Sequence, residues 1–137
     1  MVEKLRAAVE AYRSGEDEEP LAALLELEAD IVPAMAELFR GEPDPDVRAF
    51  LVRVAWERRE QTAIDFVATA LNDPVEEVWQ SALDGTIALA SPEILNILHT
   101  AKLQKRADMA MARRFEMCVE EAILYVEGLL RGAQYPR

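Results

Sequence analysis

The imidazole and thiol groups able to do acid–base, nucleophilic or zinc chemistry are few. His99 is the only histidine and Cys118 the only cysteine in 137 residues. A catalytic histidine needs a positioned carboxylate or nucleophile, and local spacing assigns His99 none, so a surface or interface role is expected. One His and one Cys supply too few nitrogen and sulfur ligands for zinc. Cys118, mid-helix in Arg113-Arg114-Phe115-Glu116-Met117-Cys118-Val119, reads as a small buried apolar residue. It has no cysteine to pair with, which suits a reducing compartment. No cofactor is implied.

Carboxylates are abundant. They gather in Glu16-Asp17-Glu18-Glu19, in Glu42 with Asp44 and Asp46, and in Asp73 with Glu76 and Glu77. The spacing of a calcium loop is missing. These runs sit at turns and helix starts, where capping and the helix dipole account for them; stacked turns would also form an acidic ridge. The net charge of -11 disfavours a phosphate backbone or anionic lipid and favours a cationic partner. The basic cluster Lys102, Lys105, Arg106, Arg113 and Arg114 is followed by Glu116, Glu120 and Glu121, which can pair with it along a helix. Nucleic acid is therefore not expected as a partner, and neither is a membrane. No run approaches the roughly 18 apolar residues of a spanning helix. The start, Met1-Val2-Glu3-Lys4-Leu5-Arg6, lacks the apolar centre of a signal peptide. A cytoplasmic location is expected.

The elements that position these residues all read as helices. Leu5, Ala8, Val9 and Tyr12 form one face of helix one, from Val2 to about Arg13. Gly15 ends it, and Pro20 suits the first turn of helix two, which runs to about Glu28. Asp30 is the expected cap of helix three, Ile31 to Arg40, with Pro33 in its first turn. Asp44 with Pro45 opens helix four, to about Arg58. Helix five covers about Gln61 to Leu71. Helix six runs from Asn72-Asp73-Pro74 to about Ala90, with Gly85 inside. Ser91-Pro92 opens helix seven, ending near Gln104, and helix eight runs from about Arg106 to Leu130, with Gly132 after it. No run alternates as a strand does.

One stripe recurs. Ile31, Ala34, Met35 and Leu38 are matched by Ile64, Val67, Ala68 and Leu71, and again by Ile94, Ile97, Leu98 and Ala101. Three such stripes in register, with Asp-Pro openings before two of the helix pairs, mark a repeat. At this point the chain resembles the HEAT-repeat family in its short bacterial form. The match lies in Asp44-Pro45-Asp46-Val47-Arg48-Ala49 and in Asp73-Pro74 through Val78-Trp79-Gln80-Ser81-Ala82-Leu83. The second copy has two extra residues, with Trp79 where Arg is usual. The resemblance covers about residues 20–104. It implies an all-α fold, an α-solenoid of about three HEAT-like helix pairs with capping helices. Residues 1–137 would form one domain: a cap helix and acidic loop at 1–19, repeats at 20–104, and a capping helix at 105–137.

It also implies that the second helices line a concave protein-binding face. Aligned positions then nominate Glu37, Asp65, Phe66, Thr69, Asn96 and His99, with an exposed Phe66 as anchor inside a polar rim; packing of Phe66 against the next helix pair is the alternative. Trp79 is a further candidate anchor, and packing into a gap left by Gly85 is its alternative. Trp56 reads as packing. Helix eight is apolar over a wide arc, and Met111, Phe115, Tyr125 and Leu129 are its candidate homodimer face. The function expected is a non-catalytic interaction module or scaffold, with acidity pointing to an inhibitor or immunity-type protein that masks a basic partner. The alternatives are an enzyme-associated HEAT-like module, of the kind that attaches bilin chromophores, and a structural subunit of a larger assembly.

Overall fold

The computed structural model describes residues 2–15, 18–26, 31–104, 106 and 108–134. Those residues form eight helices and no strand: α1 (Val2–Arg13), α2 (Glu18–Leu25), α3 (Val32–Gly41), α4 (Pro45–Glu57), α5 (Ala63–Ala70), α6 (Glu76–Ala88), α7 (Pro92–Lys102) and α8 (Met109–Gln134). No helix among them is long and apolar enough to cross a membrane.

Local chemistry sets several boundaries. α1 stops at Gly15, whose φ of +93° costs a residue without a Cβ almost nothing. Pro33 occupies the first turn of α3; the expected cap, Asp30, lies outside the described residues. Asp44 caps α4, its Oδ1 accepting from the Asp46 N–H at 2.9 Å, with Pro45 at the first helical position. Ser91 Oγ accepts from the Ile94 N–H at 3.1 Å and caps α7. Two expected ends differ. α6 starts at Glu76 with Val75 at the cap; the Asp73 carboxylate accepts from the Val75 N–H at 2.9 Å and also from Arg48, so it holds the turn before the helix. α8 runs through Gly132, whose position meets no neighbouring atom that would force a break.

The helices contact one another in two rows. α2, α4, α6 and α8 pack in succession, as do α3, α5 and α7. Cross-contacts join α3 to α4, α4 to α5, α5 to α6 and α7 to α8, and α1 lies against α2 and α4. The repeated stripes face the interior at eleven of their twelve positions: Ile31, Met35, Ile64, Val67, Leu71, Ile94, Leu98 and Ala101 are buried, and Ala34, Leu38 and Ile97 pack against the same core, while Ala68 is half-buried and lines a cleft between α5 and α7. The tightest junction is between α4 and α6. A Cβ on Gly85 would lie 2.9 Å from Cδ1 of Trp56 and 3.0 Å from its Cγ. The indole of Trp56 takes the space that a side chain at 85 would fill.

Arginines tie helix ends together, mostly along the row of α2, α4 and α6. Arg48 forks onto Asp73, Nε to Oδ2 at 2.9 Å and Nη2 to Oδ1 at 3.2 Å, while its Nη1 donates to the carbonyls of Glu42 and Pro43. Arg58 donates to the carbonyl of Leu24 at 2.7 Å, and Arg59, in the left-handed region with φ of 55°, donates to that of Ala88 at 3.0 Å. Arg106 donates to the carbonyls of Leu71 and Asp73. Asp73 is thus held twice, by its carboxylate on Arg48 and by its carbonyl on Arg106.

Candidate functional site

The row α3, α5 and α7 carries two adjoining clefts. The first, about 230 Å³, opens between α3 and α5. Val32, Pro33 and Ala36 form one wall, and Thr62, Asp65 and Thr69 the other, with Arg40 at one end. Its floor is aromatic. Phe66 is 5% exposed and meets Phe39 edge to face, ring centres 5.3 Å apart. The second cleft, about 360 Å³, lies between α5 and α7 and is more polar, lined by Thr69, Asn72, Glu93, Asn96, Thr100 and Gln104 among others. Thr69 belongs to both. Its hydroxyl donates to the Asp65 carbonyl at 3.1 Å, so its side chain is held on the ridge between them. Gln61 donates to Glu93 at 3.4 Å and links the start of α7 to the turn before α5.

This arrangement offers apolar contact area beside carboxylates, hydroxyls and amides. It can seat an apolar side chain in the first cleft and hydrogen-bond a polar or cationic group at its rim. The linings of both clefts contain no His or Cys. Among the described residues no group of three or more His, Cys, Asp or Glu is placed to hold a metal ion.

Of the residues nominated from the sequence, Asp65, Phe66 and Thr69 come together in the first cleft, and Thr69 with Asn96 in the second. Glu37 and His99 are exposed on α3 and α7 but line neither. Phe66 is not the exposed anchor expected; it is floor, because Phe39 and the core hold its ring. Phe39, Arg40, Asn72, Glu93 and Thr100 went unnominated. Phe39 lies one position beyond the repeated stripe, Thr100 holds the position that aligns with Glu37, and Arg40, Asn72 and Glu93 lie at helix ends where stripe alignment gives no signal.

Trp79 is fully buried and is not a surface anchor. It packs edge to face on Phe115 at 5.1 Å, with the Arg106 guanidinium 3.9 Å from the Phe115 ring centre. Among the described residues its indole N–H finds no acceptor, and Trp56, not Trp79, fills the space at Gly85. Phe115 is 2% exposed, so it leaves the candidate dimer face; Met111 is half-buried, and Tyr125 and Leu129 are exposed.

The turns before α4 and α6 do bring carboxylates together. Burial, with Asp46 and Asp44 close by and a hydrogen bond to Asp46, pushes the Glu77 carboxyl above its ordinary value, against the pull of Arg48. The Tyr12 hydroxyl donates to Asp46 Oδ1 at 2.9 Å, and its ring stacks on Phe50 at 4.2 Å. Burial also raises the Asp84 carboxyl and lowers the Arg106 guanidinium, with Asp73 opposing the latter effect. None of these groups lines either cleft. No protein-family model, curated protein or solved structure matches this chain.

Proposed function

We propose that this protein is a non-catalytic, cytoplasmic protein-binding module, a HEAT-like α-solenoid whose α3–α5–α7 face takes a cationic segment of a basic partner. The solenoid reading is supported by the succession of helices in two rows and by the Arg48–Asp73 pair, which joins one Asp-Pro opening to the next. The observation that carries the binding function is the pair of clefts that meet at Thr69. Neighbouring helices stand about 8–10 Å apart, so adjoining grooves of one row suit side chains spaced along a single bound segment. An apolar side chain enters over Phe66. Asp65 and Glu37, with Glu93 further along, meet positive charges, and the overall charge of -11 steers a basic partner inward.

The test is affinity capture from a lysate of the source organism at low and high salt, repeated with Thr69→Trp, which fills the ridge between the clefts, and with Asp65→Lys. Both positions are exposed, so helicity should be kept. A basic protein retained at low salt by the wild type, released at high salt and lost by both variants supports the reading. A neutral partner, or one indifferent to both variants, overturns it.

A further inference from the structure

The two clefts offer different chemistry, and together they constrain the backbone of whatever crosses them. The first has the aromatic floor of Phe66 against Phe39. The second is edged by neutral polar groups. Glu93, Asn96 and Thr100 stand at i, i+3 and i+7 on one face of α7. Asn72 and Gln104 lie just past the ends of α5 and α7. Asn72, Asn96, Thr100 and Gln104 are exposed, and none of their side chains makes a hydrogen bond among the described residues. Each can both donate and accept.

Regular backbones meet such a surface differently. An α-helix satisfies its N–H and C=O groups internally and would lie over these carboxamides without using them. A β-strand returns a side chain to the same face every second residue, about 6.6 Å on, short of the roughly 8–10 Å between neighbouring helices. A polyproline II segment has a period of three and a rise of about 3.1 Å, so its residues i and i+3 share a face about 9 Å apart, and its backbone makes no internal hydrogen bonds.

We infer that the occupant of the α3–α5–α7 face is a basic, proline-containing segment in the polyproline II conformation, which crosses α5 at Thr69 with an apolar side chain at i in the first cleft and a Lys or Arg at i+3 in the second. This rests on the reading of that face as the binding surface. The apolar residue lies over Phe66. The cation meets Glu93, which otherwise accepts from the Gln61 amide at 3.4 Å. Main-chain carbonyls between them accept from Asn72 and Asn96, and prolines there fix φ and bring no N–H to leave unpaired. Of the residues lining the two clefts only Arg40 is a cation. A guanidinium donates and never accepts, so a main-chain carbonyl of the segment satisfies it without an acidic side chain. Lys102, at the end of α7, is engaged by Glu120. Glu37, Asp65 and Glu93 outnumber Arg40, and the face favours a segment of net positive charge.

Selection from a random dodecapeptide library displayed on phage tests this, with the wild type as bait and Thr69→Trp for counter-selection. Enriched peptides should carry an apolar residue with Lys or Arg three positions on and proline between, and should not bind Thr69→Trp. A fluorescein-labelled copy of the most enriched peptide is then titrated by anisotropy. One residue inserted between the anchor and the cation should weaken it at least about 10-fold, through a lost contact to a charged group. Asn72→Ala with Asn96→Ala should weaken it about 10-fold, through two lost hydrogen bonds, with helical circular dichroism unchanged. Enriched peptides with alternating or i, i+4 spacing, with no common spacing, or indifferent to the two Asn changes overturn the inference and leave the binding face standing. An empty selection overturns it too, and the lysate capture then decides separately whether the face binds a protein.

Discussion

The Trp56 indole lies over Gly85 so closely that α4 and α6 can approach at that level only because residue 85 has no side chain. In an ordinary exposed helix, Gly→Ala stabilises by about 1 kcal/mol. Here the added carbon meets a rigid ring, and overpacking of that kind costs roughly 1–3 kcal/mol. Gly85→Ala should therefore destabilise, by about 1–2 kcal/mol in urea denaturation. Combining it with Trp56→Leu should recover the helix preference and show strong coupling in a double-mutant cycle. Simple stabilisation by the single change would mean that the indole yields freely.

Arg48 and Asp73 should behave as a unit. Their side chains are 13% and 6% exposed, so removing one leaves the other charged and largely buried, which costs roughly 3–5 kcal/mol. Arg48→Met and Asp73→Leu singly should each approach that loss, and the double variant should lose much less than their sum. Arg48→Lys should not rescue, because an ammonium cannot fork onto both carboxylate oxygens and still reach the carbonyls of Glu42 and Pro43. A double variant that loses the full sum of the two single losses would contradict this linkage.

Arg106 holds the turn before α8 by main-chain carbonyls and aromatic faces instead of a carboxylate. Arg106→Ala should cost about 2–3 kcal/mol, from hydrogen bonds to a charged group and the packing of its stem. The near-ultraviolet circular dichroism of Trp79, whose ring lies 5.9 Å from this guanidinium, should change with it. An unaltered aromatic signal would separate Arg106 from the Trp79–Phe115 pair.

Glu77 gives a pH signature. Its carboxyl is raised in the folded protein from 4.5 by burial and by Asp46 and Asp44. The unfolded chain therefore gives up this proton at lower pH than the folded one. The resulting penalty on folding is absent below about pH 4.5, grows as pH rises through the gap between the two values, and is complete above the folded one. Glu77→Gln should remove it and stabilise slightly near pH 7, the gain being small because solvent screens an exposed group. That gain should vanish near pH 4. A benefit that persists in acid would assign it to something other than the proton.

Helix order and the core stripes were legible because they rest on periodicity and turn residues. Asp44, Pro45, Ser91 and Pro92 act locally, and their effects appear where the sequence puts them. The clefts were legible in part. Repeat arithmetic reached Asp65, Thr69 and Asn96, which lie on regular helix faces, but it could not foresee that Phe39 would seal Phe66 into a floor. That contact depends on the spacing of α3 and α5 and not on either helix alone. The two tryptophans were harder for the same reason. Large size marks a hot spot and a core filler equally, and only the meeting of α4, α6 and α8 decides that Trp56 covers a glycine while Trp79 goes under an arginine.

Arg58 and Arg59 are neighbours that pull in opposite directions along the chain, one back to the last turn of α2 and the other forward to the end of α6. The short segment after α4 is therefore a rivet through three helices. A stack of helix pairs touching only their neighbours can fray from its ends while the middle stays folded. With the rivet in place, opening either flank breaks a hydrogen bond anchored in the centre. Amide exchange should then show α2 and α6 protected to nearly the same depth as α4, the pattern of a single block rather than of a chain of separable links.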